Sequence, residues 1–145
     1  AWSALETYRK YFGNPNSLEE LINNSQFMQR VGYQFIYEEA RRQKPYCSMV
    51  INWCFNEPWP CIANNSVIGY PNVVKDGYYG IKTASRSVMA SARIRKFSYK
   101  AYETFDFDLF LLNDSTEKVD GGEINAFIQI GKKKKKRRNS KWITD

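Results

Sequence analysis

The chain has 145 residues, 43% of them apolar and 16% aromatic, enough for one ordinary domain with a real core or for two small pieces. It contains no histidine, which removes Ser-His-Asp, Cys-His and histidine-zinc chemistry, and no stretch approaches the roughly 20 apolar residues of a membrane span. The formal net charge of +7 is one local run: setting aside residues 132–138, which hold seven of the 22 basic residues, leaves 15 basic against 15 acidic.

The opening residues Ala1-Trp2-Ser3-Ala4-Leu5 show no secretion-signal pattern. Ser17-Leu18-Glu19-Glu20 is a capping box, in which hydroxyl and carboxylate satisfy each other's backbone donors, so a helix should start there. Asn23-Asn24-Ser25 is expected to interrupt it, with Ser25 capping again. Met28, Val31, Phe35 and Ile36 then mark a stripe at helical spacing that ends at Lys44-Pro45. That stripe reads as core.

Residues 47–53 are apolar on both faces apart from Ser48 and Asn52, which predicts a strand covered on both sides, as in a parallel sheet. Pro58 and Pro60 cannot continue a ladder, so the strand should end in a stiff turn that holds Trp53, Glu57 and Trp59. Residues 56–74 form an irregular stretch long enough for a functional loop, and residues 75–85 read as a helix weakened by Gly77 and Gly80. Helix, buried strand, long loop and helix make an α/β pattern. Cys47, Cys54 and Cys61 recur every seven residues, a spacing that matches no zinc site, and read as buried free thiols, with a disulfide as an alternative that their odd number does not imply. No metal or cofactor is expected.

Beyond about residue 87 the period changes to two. Phe105, Phe107, Leu109 and Leu111 alternate with Thr104, Asp106, Asp108 and Phe110, and Ile124, Ala126, Ile128 and Ile130 alternate with Glu123, Asn125, Phe127 and Gln129. Two half-buried antiparallel strands follow, with turn chemistry at Asn113-Asp114-Ser115 and Asp120-Gly121-Gly122. Residues 88–97 and Lys141-Trp142-Ile143 read as further strands. About four strands are fewer than the seven or so of an immunoglobulin-like sandwich, so this unit reads as truncated. The expected fold is therefore α/β plus all-β, with residues 1–87 and 88–145 as the two parts. The run at 132–138 reads as a solvated loop or tail. A nucleic-acid interface would spread its cations along a groove among stacking aromatics, so nucleic acid is not the expected partner.

The proline-locked corner has two readings. One is a core corner plugged by indoles, and the other is a carbohydrate site in which an indole offers a flat platform to the C–H face of a pyranose. The stretch from Arg41 to Ala84 resembles the end of the catalytic barrel in family-2 glycoside hydrolases, in particular the β-mannosidase and exo-glucosaminidase branch. Those enzymes carry a motif like W-Q-x-N-D-P-W-P, against Trp53-Cys54-Phe55-Asn56-Glu57-Pro58-Trp59-Pro60 here. A tyrosine-glycine turn and a K-x-x-Y-Y-x-x-K helix follow, matched by Tyr70, Lys75, Tyr78, Tyr79 and Lys82. Cys54 stands in place of a glutamine, Glu57 of an aspartate, and Gly69 where the branch often has an acid.

The resemblance implies the last strand-helix portion of a (β/α)8 barrel followed by the start of an immunoglobulin-like domain. It implies a fragment of a retaining exo-acting β-glycosidase, in which two glutamates about 5 to 5.5 Å apart do the chemistry. Those glutamates follow the fourth and seventh barrel strands, so neither is expected here, and a barrel of about 250 residues cannot fit before residue 87. No catalytic residue is assigned, and the chain alone should be inactive. The implied substrate-binding set is Trp53 as platform, Asn56 and Glu57 as polar contacts, and Trp59, expected to pack under the loop. Glu57 reads equally as a carboxylate accepting backbone donors in a tight turn. Tyr78 and Tyr79 are expected to pack the helix on the barrel.

The implied partners are a β-linked oligosaccharide or glycoside and the rest of the barrel, with self-association through unpaired strand edges. A periplasmic, secreted or lysosomal location follows from the family alone. The alternative is a non-catalytic carbohydrate-binding or adhesion module.

Overall fold

The computed structural model describes residues 4–61 and 64–142, with residues 130 and 133–142 at the backbone only. The chain divides into two compact units, Ala1–Arg86 and Ser87–Asp145.

In the first unit, helix α1 (Leu5–Phe12) is short and ends at Gly13, whose positive φ of 76° suits glycine and whose N–H bonds the Arg9 carbonyl at 3.0 Å. Its Tyr8 is fully buried, lies 5.2 Å from the Phe12 ring and accepts a hydrogen bond from Asn24 Nδ2 at 3.1 Å. Phe12 in turn meets Phe27 edge to face at 6.4 Å. Through these contacts α1 is docked on the front half of helix α2 (Leu18–Arg42).

The start of α2 is capped as its sequence indicates, with Ser17 Oγ accepting from Glu20 N at 3.1 Å. The carboxylate of Glu20 reaches back one residue further than a standard box, accepting from Asn16 N at 2.8 Å. The expected break at Asn23-Asn24-Ser25 does not occur: α2 runs unbroken for 25 residues. Asn and Ser inside a helix cost only about half a kcal/mol each, and the Tyr8–Asn24 contact offsets part of that. Of the expected core stripe, Ile36 is exposed. The helix ends before Lys44-Pro45, where Arg42 is buried against Glu38 and Glu39 at 3.4 and 3.0 Å.

Helix α3 (Asp76–Ala84) lies on α2 through a face of small residues, Gly77, Gly80 and Ala84, all buried. A Cβ placed on Gly80 would fall 2.3 Å from the carbonyl oxygen of Arg30, so only glycine allows this approach of the two helices. The glycines that weaken α3 as an isolated helix are what lets it dock. At its end, Arg41 Nη1 donates to the Ala84 carbonyl.

Between α2 and α3 the sequence predicts a strand at residues 47–53, and the structure has none. Among the described residues, 48–54 donate no backbone N–H to a main-chain acceptor. The segment nevertheless alternates as a strand does: Met49, Ile51, Trp53 and Phe55 are exposed, while Val50, Asn52 and Cys54 are half-buried. A strand is defined by its neighbours, and none of the described residues supplies a ladder here. Past the corner, Asn56 makes a single parallel bridge to Ile68, and strands β1 (Ile68–Gly69) and β2 (Val73–Val74) form a two-residue antiparallel ladder.

In the second unit, β3 (Val88–Ile94) pairs antiparallel with β4 (Phe107–Asn113), from Val88↔Asn113 to Ile94↔Phe107. Strands β5 (Gly122–Ile130) and β6 (Lys133–Trp142) form a second hairpin closed by a two-residue turn, with Gly131 at φ 58°. An open cavity of about 420 Å³ in this unit is lined by residues of β3, β4 and β5, among them Ala92, Ile94, Phe107, Leu109, Ile124 and Ile128, whereas the buried residues Met89, Ser91 and Leu112 mark the other face of the β3–β4 pair.

The basic run at 132–138 is not a loop or tail but the turn and first half of β6. Like charges disfavour such a segment in isolation, yet backbone pairing to the apolar strand β5 depends on no side chain, and Gly131 supplies the turn. Of the expected terminal strand, Lys141 and Trp142 belong to β6 and Ile143 lies outside the described residues. No helix among the described residues is long and apolar enough to cross a membrane.

Candidate functional site

The corner at residues 53–60 is positioned from below by α2. Four residues on one face of that helix, at spacings of three, four and four, reach the segments that flank the corner. Gln26 Oε1 accepts from Asp76 N at 2.9 Å, and Gln29 Nε2 donates to the carbonyls of Asn65 and Ser66 at 3.2 and 3.3 Å. Tyr33 donates its hydroxyl to the Asn65 carbonyl at 2.8 Å, and Tyr37 to Asn52 Oδ1 at 2.9 Å. Burial pushes both phenols up, with nearby Tyr37 and Cys54 adding to the effect on Tyr33, so both stay protonated as donors. Asn52 Nδ2 passes the connection on to the Cys54 carbonyl at 3.3 Å.

The cysteines serve the same loop. The Cys54 thiol donates to Asn64 Oδ1 at 3.3 Å, Asn64 Nδ2 donates to Cys61 Sγ at 3.7 Å, and Asn64 Oδ1 also accepts from Ser66 N at 3.1 Å. All three thiols are free and half-buried. Cys54 thus bonds a loop amide, where the resembled family has a glutamine. Among the described residues no three Cys, Asp or Glu side chains converge as a metal site.

Glu57 is the centre of the arrangement. It is only 8% exposed, and its carboxylate is saturated from inside: Oε1 accepts from Ser66 Oγ at 2.7 Å and pairs with Lys75 Nζ, and Oε2 accepts from Tyr70 N at 3.1 Å. Lys75 Nζ also donates to Ser66 Oγ at 2.8 Å and to the Asn64 carbonyl at 3.4 Å. The bonds from Lys75 and Ser66 outweigh the opposing effect of burial and hold the Glu57 carboxyl down at about 2, against 4.5 ordinarily. The main chain runs in parallel with this network: Phe55 O accepts from Val67 N and Ile68 N at 3.1 and 3.0 Å, and Glu57 N donates to Ile68 O at 3.0 Å. A Cβ on Gly69 would sit 3.6 Å from Glu57 Oε2, so an acid at 69 would face a carboxylate already in place.

Of the four residues read from the sequence, Trp53 is 83% exposed, Trp59 is 65% exposed, Asn56 is exposed, and Glu57 is turned inward. Trp59 does not pack under the loop as expected but is largely exposed, and the buried contacts of the loop are the polar ones among Glu57, Ser66 and Lys75. Ser66 and Asn64 were missed by sequence reasoning, and Lys75 was noticed only as part of a helix motif. They lie nine, seven and 18 residues from Glu57, separations that no local pattern reports. On α3, Tyr78 and Tyr79 meet each other edge to face at 5.5 Å, and neither belongs to the buried small-residue face that meets α2.

Chemically, the corner offers an exposed indole and a polar amide on a rigid, internally bonded turn. It does not offer an acid: a carboxyl held at about 2 is an anion at any ordinary pH, whereas a general acid needs its pKa raised. No family model, curated protein or solved structure matches this chain.

Proposed function

We propose that the first unit is the closing strand, loop and helix of a glycoside-hydrolase barrel like that of family 2, and that it supplies one wall of the sugar site. In this reading Trp53 is the platform for the C–H face of a pyranose, Asn56 is a polar contact, Trp59 lies at the rim, and Glu57 serves by bracing the turn from within. The acid/base and nucleophile belong to other strands of the barrel, so the isolated chain binds a β-linked glycoside without cleaving it. The second unit corresponds to part of the immunoglobulin-like domain that follows such barrels.

The observation that carries the reading is the exposure of Trp53. An indole 83% open to solvent, on a turn whose main chain and Glu57 carboxylate are tied down to the returning segment and to Lys75, is the reverse of a plugged core corner. The exposed row of Met49, Ile51 and Trp53 supports it too, since an uncovered apolar face whose backbone N–H groups find no main-chain acceptor is what a strand removed from its sheet would present.

Titrating the chain with β-linked mannobiose and β-linked glucosamine disaccharide, while following tryptophan emission, tests this. A saturable change that disappears in Trp53→Ala supports the sugar wall. No change with either sugar, or the same change in Trp53→Ala, rejects it.

A further inference from the structure

The 53–60 turn contains no helix and only one bridge residue, so its shape must come from what it is bonded to. We propose that Lys75 is a positioning residue for the sugar platform: acting through Glu57 and Ser66, it sets the orientation in which the turn presents Trp53. This rests on the sugar-wall reading above and names the device that orients that wall.

The ammonium of Lys75 has three hydrogens and three acceptors: Glu57 Oε1 on the turn, Ser66 Oγ, and the Asn64 carbonyl on the returning segment. With every donor used, the group has one arrangement rather than several. Its main chain is held as well, since Lys75 N donates to the Val67 carbonyl at 3.0 Å and Lys75 is the N-cap residue of α3. Helix α3 is itself fixed on α2 by the Gly80 contact. A continuous path therefore runs from the helix pair through Lys75 and Glu57 to the turn that carries Trp53.

Removing the ammonium leaves a buried carboxylate with only Ser66 Oγ and Tyr70 N as donors. A buried charge deprived of its partner is strongly unfavourable, and the inexpensive escape is for the turn to open until Glu57 meets water. Because Phe55 and Glu57 are bonded on the same strip to Val67 and Ile68, opening at Glu57 re-aims the residues just before it. Lys75 is the charged group that faces Glu57. Among the described residues, the other titratable groups around the loop are Tyr70, which offers its backbone N–H, Cys61, which bonds Asn64, and Tyr33, which is raised by burial and by nearby Tyr37 and Cys54.

The test compares the full chain with Lys75→Met, Ser66→Ala, Trp53→Ala and the neutral pair Glu57→Gln/Lys75→Met. Three readouts are followed: affinity for β-linked mannobiose, its pH profile, and the indole N–H resonances of the tryptophans. Lys75→Met should bind about tenfold more weakly than the parent at neutral pH. It should recover as pH falls and Glu57 becomes neutral, a dependence opposite in sign to simple acid unfolding. The neutral pair should restore affinity to within about threefold of the parent and remove the pH dependence. A merely structural lysine would give a pH-independent loss that the neutral pair does not repair, and that result, or parental affinity in Lys75→Met, overturns the proposal.

Should Lys75→Met fail to fold by circular dichroism, Ser66→Ala decides, with displaced Trp53 and Trp59 indole resonances expected and unmoved ones overturning the idea. If no variant nor the parent binds sugar, the sugar-wall reading fails. Positioning by Lys75 is then judged on those resonances alone, which should move in Lys75→Met and return in the neutral pair.

Discussion

Replacing Gly80 by alanine puts the helix pair that supports the corner under direct test. The new Cβ would lie 2.3 Å from the Arg30 carbonyl oxygen and 3.1 and 3.2 Å from its carbon and Cα. Since an ordinary C···O approach is about 3.3 Å, α3 must withdraw by about 1 Å, and because the obstacle is backbone no rotamer change relieves it. Overpacking of this kind costs about 1–3 kcal/mol, while alanine gains about 1 kcal/mol over glycine in a helix interior. With a backbone-to-backbone clash at the upper end of that range, the net loss is about 2 kcal/mol, or about 10 °C in melting temperature for a unit of this size. Gly77→Ala is the internal control. Its Cβ meets the far end of the Gln29 side chain, 2.6 Å from Oε1, which can swing aside at the loss of its bonds to Asn65 and Ser66. Thermal unfolding followed by far-ultraviolet circular dichroism should therefore show a large drop for Gly80→Ala and a small one for Gly77→Ala. A Gly80→Ala protein as stable as the parent would refute the close approach of α2 and α3 on which the positioning of the site depends.

The Glu57 carboxyl is held at about 2 when folded against 4.5 ordinarily, so its stabilisation is complete above about pH 4.5 and is lost as pH falls through about 2. The parent should accordingly be more stable than Glu57→Gln near neutral pH, with the gap closing in urea titrations across that acidic window, and a gap that widens on acidification would contradict the network. The exposed row at Met49, Ile51, Trp53 and Phe55 should make the chain self-associate at raised concentration. Ile51→Lys should shift sedimentation toward monomer, whereas a parent that is monomeric throughout speaks against an open strand face. Removing the cap of α2 with Ser17→Ala should cost about 1 kcal/mol in chemical unfolding of the first unit, and an unchanged midpoint would mean that the Ser17–Glu20 bond carries no weight.

What the sequence revealed and what it hid divide along the range of the interactions. The capping box at Ser17 and Glu20, the stop before Pro45 and the extent of α3 depend on neighbours within a turn or two, and each was legible. The alternation in β5 was legible for the same reason, whereas β4 is half-buried along both faces and buries Leu112, outside the expected apolar row. The continuity of α2 was not, because the contact that favours it, Asn24 with Tyr8, comes from a different helix. Residues 47–53 kept the alternation of a strand but not its hydrogen bonds, which depend on partners that no local pattern records. The basic run was misread because charge repulsion is visible in a sequence, whereas pairing with β5 is not. At the corner, Trp53, Asn56 and Trp59 stood out by type and by the prolines around them. The inward turn of Glu57 was one of its two readings, but its side-chain partners were invisible, since Ser66 and Lys75 are unremarkable residues until folding brings them together.

Saturation-transfer NMR on the parent chain with β-linked mannobiose and glucosamine disaccharide tests the sugar wall most directly. Transfer should concentrate on the protons of the pyranose C–H face, be lost in Trp53→Ala and be retained in Trp59→Ala at reduced strength. Absence of transfer to either sugar, or transfer indifferent to Trp53, would contradict the sugar wall.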